Sequence, residues 1–281
     1  MNFIQTFMSG EQGLFKSDTL TPMQKMTLRF VVVGLLYYGF ALIEGMIMRL
    51  YLVKPVDIIP PGQFYGIMTA HPLVGIFGST YSMVFGAFLF LVPFLMKKPL
   101  WSIKLANWTC GLVAGGTLTF WLSGFVTHYA PLYTLYWPLP ADFTQFSIWG
   151  GIFFILGIAL VMLGAVFFVI NIFATIAYTP EGRPKQPAGA LIASALGLSG
   201  FTNFFAKKKR EHLVSLPVAA IARGTIDTAL NAGVILFTGI LIIVYMVAAV
   251  FGHDLRRSAI DALLYKNWFW WGLDLVADGL V

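Results

Sequence analysis

The stretch FYGIMTAHPLVGIFGSTYSMVFGAFLFLVP, residues 64–93, places one histidine in an otherwise apolar run. About 20 apolar residues cross a hydrocarbon core as helix, and this run is longer than that. His71 lies seven residues in from Phe64, about 10 Å along the axis at 1.5 Å per residue. An unpaired imidazole is costly at that depth. It therefore needs another side chain, a backbone carbonyl, a water-filled pathway or a metal. Thr69, Ala70, Gly75, Gly78 and Ser79 flank it, with Gly75 at i+4 and Gly78 at i+7. This flat face permits close helix packing or leaves room for a planar cofactor beside the ring. Spacing alone leaves both readings open.

The rest of the chain supports a membrane setting. Of its 281 residues, 58% are hydrophobic and 11% charged, with mean hydropathy +0.81. A soluble domain carries roughly 25% charged residues. Five runs are long enough to span: residues 27–53, 64–96, 104–128, 147–178 and 216–251. A sixth run, KNWFWWGLDLVADGLV from Lys266, reads as the start of another helix. The expected fold is all-α: a polytopic transmembrane bundle of five full helices plus the start of a sixth. Residues 1–281 read as a single transmembrane domain. Within it, residues 179–214 form a cytoplasmic loop containing an interfacial or re-entrant piece near residues 188–205.

The net charge of +6 does not point to nucleic acid, because the basic residues sit in short loops and set topology. With the N-terminus inside, thirteen of them fall on the inner side and five on the outer: Arg49, Lys54, Arg256, Arg257 and Lys266. That is the positive-inside pattern of a multi-pass cell (plasma) membrane protein with a cytoplasmic N-terminus. The KKKR run at 207–210 reads as an inner anchor, with anionic lipid as a second use. The single cysteine, Cys110, excludes an internal disulfide and any cysteine cluster for a metal. There is no phosphate-binding glycine loop, no Ser-His-Asp set, no His-x-x-x-His pair and no repeat of 20–50 residues.

Other polar residues fall inside the runs. Glu44 lies about 7 Å deeper than Arg49 on the first helix by helical rise. It reads either as that arginine's ion-pair partner or as part of a proton pathway. Asp227 is four residues from both Arg223 and Asn231. It reads as an i,i+4 ion pair with Arg223 or as a proton-entry acid. Asp274 and Asp278 share one helix face. They suit proton transfer, a metal other than copper, or the remains of a lost site. His128, His212 and His253 fall at helix ends or in loops, and Tyr133 and Tyr136 in an outer aromatic belt.

Taken together these pieces resemble subunit I of the haem–copper oxygen reductases. Residues 64–93 are similar to that family's second helix, whose histidine is an axial ligand of the low-spin haem. APLYTLYWPLPADFTQFSIWGGIFFILG (130–157) resembles the outer loop and following helix of the B-type members. IDALLYKNWFWWG (260–272) resembles the lead-in to the family's sixth helix. The resemblance implies that His71 binds low-spin haem. It implies electrons arriving from cytochrome c or quinol and passing toward oxygen reduction coupled to proton translocation, with oxidase subunit II as a partner.

There are two departures from the family pattern. Where the family has Gly-His-Pro-x-Val-Tyr, this chain has GLDLVAD. Asp274 stands near the copper-binding histidine and Asp278 near the tyrosine, and carboxylate oxygen does not suit copper as imidazole does. The family's later histidines are not in these 281 residues. The chain therefore reads as the N-terminal half of such a subunit, with copper present only if a second chain supplies the ligands. The alternatives are a cofactor-free scaffold or transporter subunit, or a nitric-oxide-reductase-like relative.

Overall fold

The computed structural model describes residues 20–54, 59–132, 135–182, 185–199, 214–253 and 260–280, the last eight of these as backbone only. The described residues form an all-helical bundle. Helix α1 is Pro22–Val53, α2 Pro61–Leu95, α3 Ile103–Thr127 and α4 Ile148–Ala177. A short α5, Ala188–Ala195, precedes α6, Leu216–Val250, and α7, Ala262–Leu280. Five of these, α1, α2, α3, α4 and α6, are long and apolar enough to cross a membrane.

Capping chemistry moves two helix starts away from the hydropathy boundaries. Helix α1 begins at Pro22 rather than at residue 27. Thr21 and Gln24 form a reciprocal capping box there, and proline is well placed at the first position. Helix α7 begins at Ala262, four residues before Lys266, because the Asp261 carboxylate accepts from the Leu264 amide at 2.6 Å.

Helix α2 is continuous but not uniform. Its residues Val74–Thr80 are wound as π-helix between two α-helical parts, Pro61–Leu73 and Tyr81–Leu95. Pro72 lacks the amide that would bond back one turn. The Thr80 hydroxyl donates to the Gly75 carbonyl five residues back, at 3.0 Å. The wider turn directly after His71 is thus set by a local exchange of backbone partners.

Helices α1, α2 and α3 form one packed group, α4 lies against α2 and α3, α6 packs on α4, and α7 on α6. Close approach relies on glycine. A Cβ on Gly116 would stand 2.6 Å from the Gly157 carbonyl, so α3 and α4 touch backbone to backbone. Aromatic rings fill the centre: Phe85 of α2 stacks on Phe168 of α4 at 4.0 Å and 9°. Buried threonines return their hydroxyls to carbonyls one turn back, as Thr109, Thr175 and Thr225 do, which satisfies them without water. Helix α1 keeps Leu35, Leu42, Ile43 and Met46 exposed, a surface suited to lipid or to another apolar helix.

The loop between α3 and α4 is more than a rim. Tyr129, Leu135 and Trp137 are buried. Trp137 meets Tyr245 of α6 edge-on at 5.1 Å, and Tyr136 lies beside Trp270 of α7 and beneath the Lys266 ammonium. Tyr133, His212 and the 207–210 run lie outside the described residues.

Candidate functional site

His71 stands on the wall of a groove of about 600 Å³ between α1 and α2. Tyr38, Ala41, Leu42, Gly45, Met46, Arg49 and Leu50 line it from α1, and His71, Gly75, Ser79 and Thr80 from α2. The tip of the ring faces Gly45. A Cβ there would lie 3.2 Å from His71 Cε1, so glycine is what lets the imidazole lie against α1. Nδ1 is buried and without a hydrogen-bond partner among the described residues. Nε2 is the nitrogen left open on the groove side.

The two glycines after His71 have separate uses. A Cβ on Gly78 would come within 2.7 Å of Tyr37 and 2.8 Å of Thr117, so Gly78 serves helix packing. Gly75 lines the groove, where a Cβ would sit 3.9 Å from Ala41, an ordinary contact. The small-residue face thus provides both tight packing and open space, at different positions.

Glu44 does not pair with Arg49. The only ion pair among the described residues is Arg223–Asp227. Positions i and i+5 lie well apart around a helix. Glu44 turns inward, where it is 6% exposed, while Arg49 lines the groove. The partner of Glu44 is Trp121 of α3, whose Nε1–H donates to Oε1 at 2.7 Å. The other carboxyl oxygen, Oε2, is buried without a partner. Trp121 carries no signal in sequence for this role, because the contact joins residues on separate helices.

The Arg223–Asp227 pair forms as its spacing predicts, at 2.8 Å, with the arginine side chain 73% exposed. One turn further along α6, buried Asn231 accepts from the Tyr81 hydroxyl of α2 at 2.6 Å. It donates to the Gly272 carbonyl of α7. Three helices meet at this one side chain, two residues before Asp274. Asp274 and Asp278 lie on α7, with side chains outside the described residues. Among the described residues no three of His, Cys, Asp or Glu gather as a metal site.

The residues at His71 do fit a haem. They offer an imidazole with one open nitrogen, an apolar groove alongside it, a glycine that admits the ring, and the Arg49 cation among the lining residues. Fold and site together define a multi-pass membrane helix bundle with an imidazole facing an apolar groove. The family model for cytochrome c and quinol oxidase polypeptide I matches residues 25–276, and the chain belongs to that family. It is a membrane protein of the haem–copper oxidase subunit I type, a family that binds haem and copper. Comparison with curated proteins gave no match.

Proposed function

We propose that this chain is a B-type-like N-terminal half of a terminal-oxidase subunit I, with His71 as an axial ligand of low-spin haem through Nε2. The observation that carries this reading is an imidazole on the wall of an apolar groove, with Nε2 open to it, in a chain of this family. Haem, when bound, supplies one-electron chemistry, and the protein sets its ligand, orientation and dielectric surroundings. The chain's own contribution is to hold the imidazole against Gly45, to exclude water along Ala41, Leu42 and Met46, and to offer Arg49 to an acidic edge.

In this reading electrons pass from cytochrome c or quinol toward oxygen, with oxidase subunit II as a partner. A second chain carries the remaining helices, covers the exposed apolar face of α1 and supplies the copper ligands. Residues 1–281 act as one transmembrane domain in the plasma membrane, with the N-terminus and residues 179–214 on the cytoplasmic side. Glu44 and Asp227 are candidates for proton handling, and Asp274 and Asp278 for proton transfer or an altered metal site. The test is oxygen uptake by the chain purified with its partners from native membranes, driven by reduced cytochrome c or by quinol. Cyanide-sensitive uptake in step with donor oxidation supports the reading, and a pure, folded complex without uptake overturns it.

A further inference from the structure

Two buried polar atoms in the outer part of α1 and α2 have complementary needs. His71 Nδ1 has no partner among the described residues, and neither has Glu44 Oε2. Helix geometry puts them in one layer. His71 Cε1 faces Gly45, the residue after Glu44, and both ring nitrogens lie about as far from the Gly45 Cβ position, Nε2 at 3.8 Å and Nδ1 at 3.9 Å. On α1 the groove is lined by Ala41, Leu42, Gly45, Met46 and Arg49, whereas Glu44 shares the buried side of the helix with Tyr37. The imidazole tip therefore lies against Gly45, the residue next to Glu44, with Nδ1 buried and unpartnered among the described residues.

The other buried groups without partners on α2 and α3 do not serve. Gln63 Nε2 is a donor eight residues away on the same helix, about 12 Å by rise. Ser82 lies eleven residues along α2 in the other direction, and Thr117 packs at the level of Gly78, seven residues beyond His71. Glu44 is the carboxylate of this layer, and Trp121 holds one of its oxygens while the other is buried without a partner among the described residues.

We propose that Glu44, anchored by Trp121, is the positioning residue for His71, accepting the Nδ1–H through one bridging water and so keeping Nε2 toward the groove. A ligating imidazole ordinarily gives its second N–H to a carboxylate, a carbonyl or water, which fixes tautomer and ring orientation. A bridging water satisfies two buried atoms that lie beyond direct reach of one another. The consequence for haem rests on the reading of His71 given above, but the orientation of the ring does not.

The test is ¹⁵N and ¹H NMR of the reduced complex purified with its partners and labelled at histidine. His71→Ala assigns the His71 signal, and Glu44→Met is compared with Glu44→Gln. Neither Glu44 variant buries a new charge, and circular dichroism checks the fold of each. The expected result is a protonated, hydrogen-bonded Nδ1 in the parent. That proton moves upfield in Glu44→Met and returns in Glu44→Gln, which keeps an acceptor oxygen. Haem retention on dilution is expected to fall about tenfold in Glu44→Met and to recover in Glu44→Gln. A proton on Nε2 in the parent, or an unchanged Nδ1 signal in a folded Glu44→Met, overturns the proposal. Low-spin haem retained in His71→Ala removes the ligand reading instead and leaves the Nδ1 result to stand by itself.

Discussion

Replacing Asn231 by leucine tests whether the α2–α6–α7 junction holds the bundle together. The side chain is fully buried. It accepts from Tyr81 and donates to the Gly272 carbonyl. Leucine keeps the branched shape and heavy-atom count but leaves the Tyr81 hydroxyl and the Gly272 carbonyl without that partner. Hydrogen bonds between membrane helices are worth about 1 kcal/mol each, so the variant should lose roughly 2 kcal/mol. Tyr81→Phe removes one of the two bonds and should lose about 1 kcal/mol. The double variant should lose less than the sum, with a coupling of about 1 kcal/mol, because both single changes break the same bond. The assay is reversible unfolding of the purified protein in mixed micelles with increasing SDS, followed by circular dichroism. Strict additivity, or an Asn231→Leu midpoint equal to the parent's, would refute the junction.

Gly157→Val should cost about 1–3 kcal/mol in the same assay by overpacking, since even a Cβ there would lie 2.5 Å from the Phe120 amide nitrogen. Gly111→Ala should stabilise by up to about 1 kcal/mol through helix propensity, because nothing lies within 4 Å of its added methyl. Arg223→Ala should destabilise by about 1–3 kcal/mol, because it leaves the buried Asp227 carboxylate without its partner. In the loop between α3 and α4, burial first, and the neighbouring Tyr265 second, hold the Tyr129 phenol well above its ordinary 10.0. The folded state therefore resists ionisation that the unfolded chain undergoes. Stability from this group is full below pH 10 and falls as pH rises above it, and Tyr129→Phe should flatten that alkaline loss in a pH series of thermal melts.

The helices were legible because the physics that makes them is local. A run of apolar residues long enough to cross hydrocarbon has few other solutions. Their ends were less legible, because Thr21 and Asp261 act through side-chain caps that hydropathy does not register. The π segment had partial signals in Pro72 and the small residues behind it, yet the exchange of backbone partners depends on how α2 packs. His71 was readable as a polar residue out of place, and Gly75 and Gly78 as a flat face. Which glycine packs and which lines the groove became clear only with Tyr37, Thr117 and Ala41 in position. The Glu44–Trp121 and Tyr81–Asn231 bonds join residues 77 and 150 positions apart. Sequence spacing favours neighbours such as Arg49, and the fold decides otherwise by turning the two side chains to different faces of α1.

The central claim is that His71 holds haem. The direct measurement is a reduced-minus-oxidised optical spectrum of the chain purified with its partners from native membranes, beside His71→Ala prepared the same way. The account predicts a low-spin haem spectrum in the parent that is lost or strongly altered in the variant, with the helical content of both equal. A folded parent without haem, or a variant with the parent's spectrum, would contradict it.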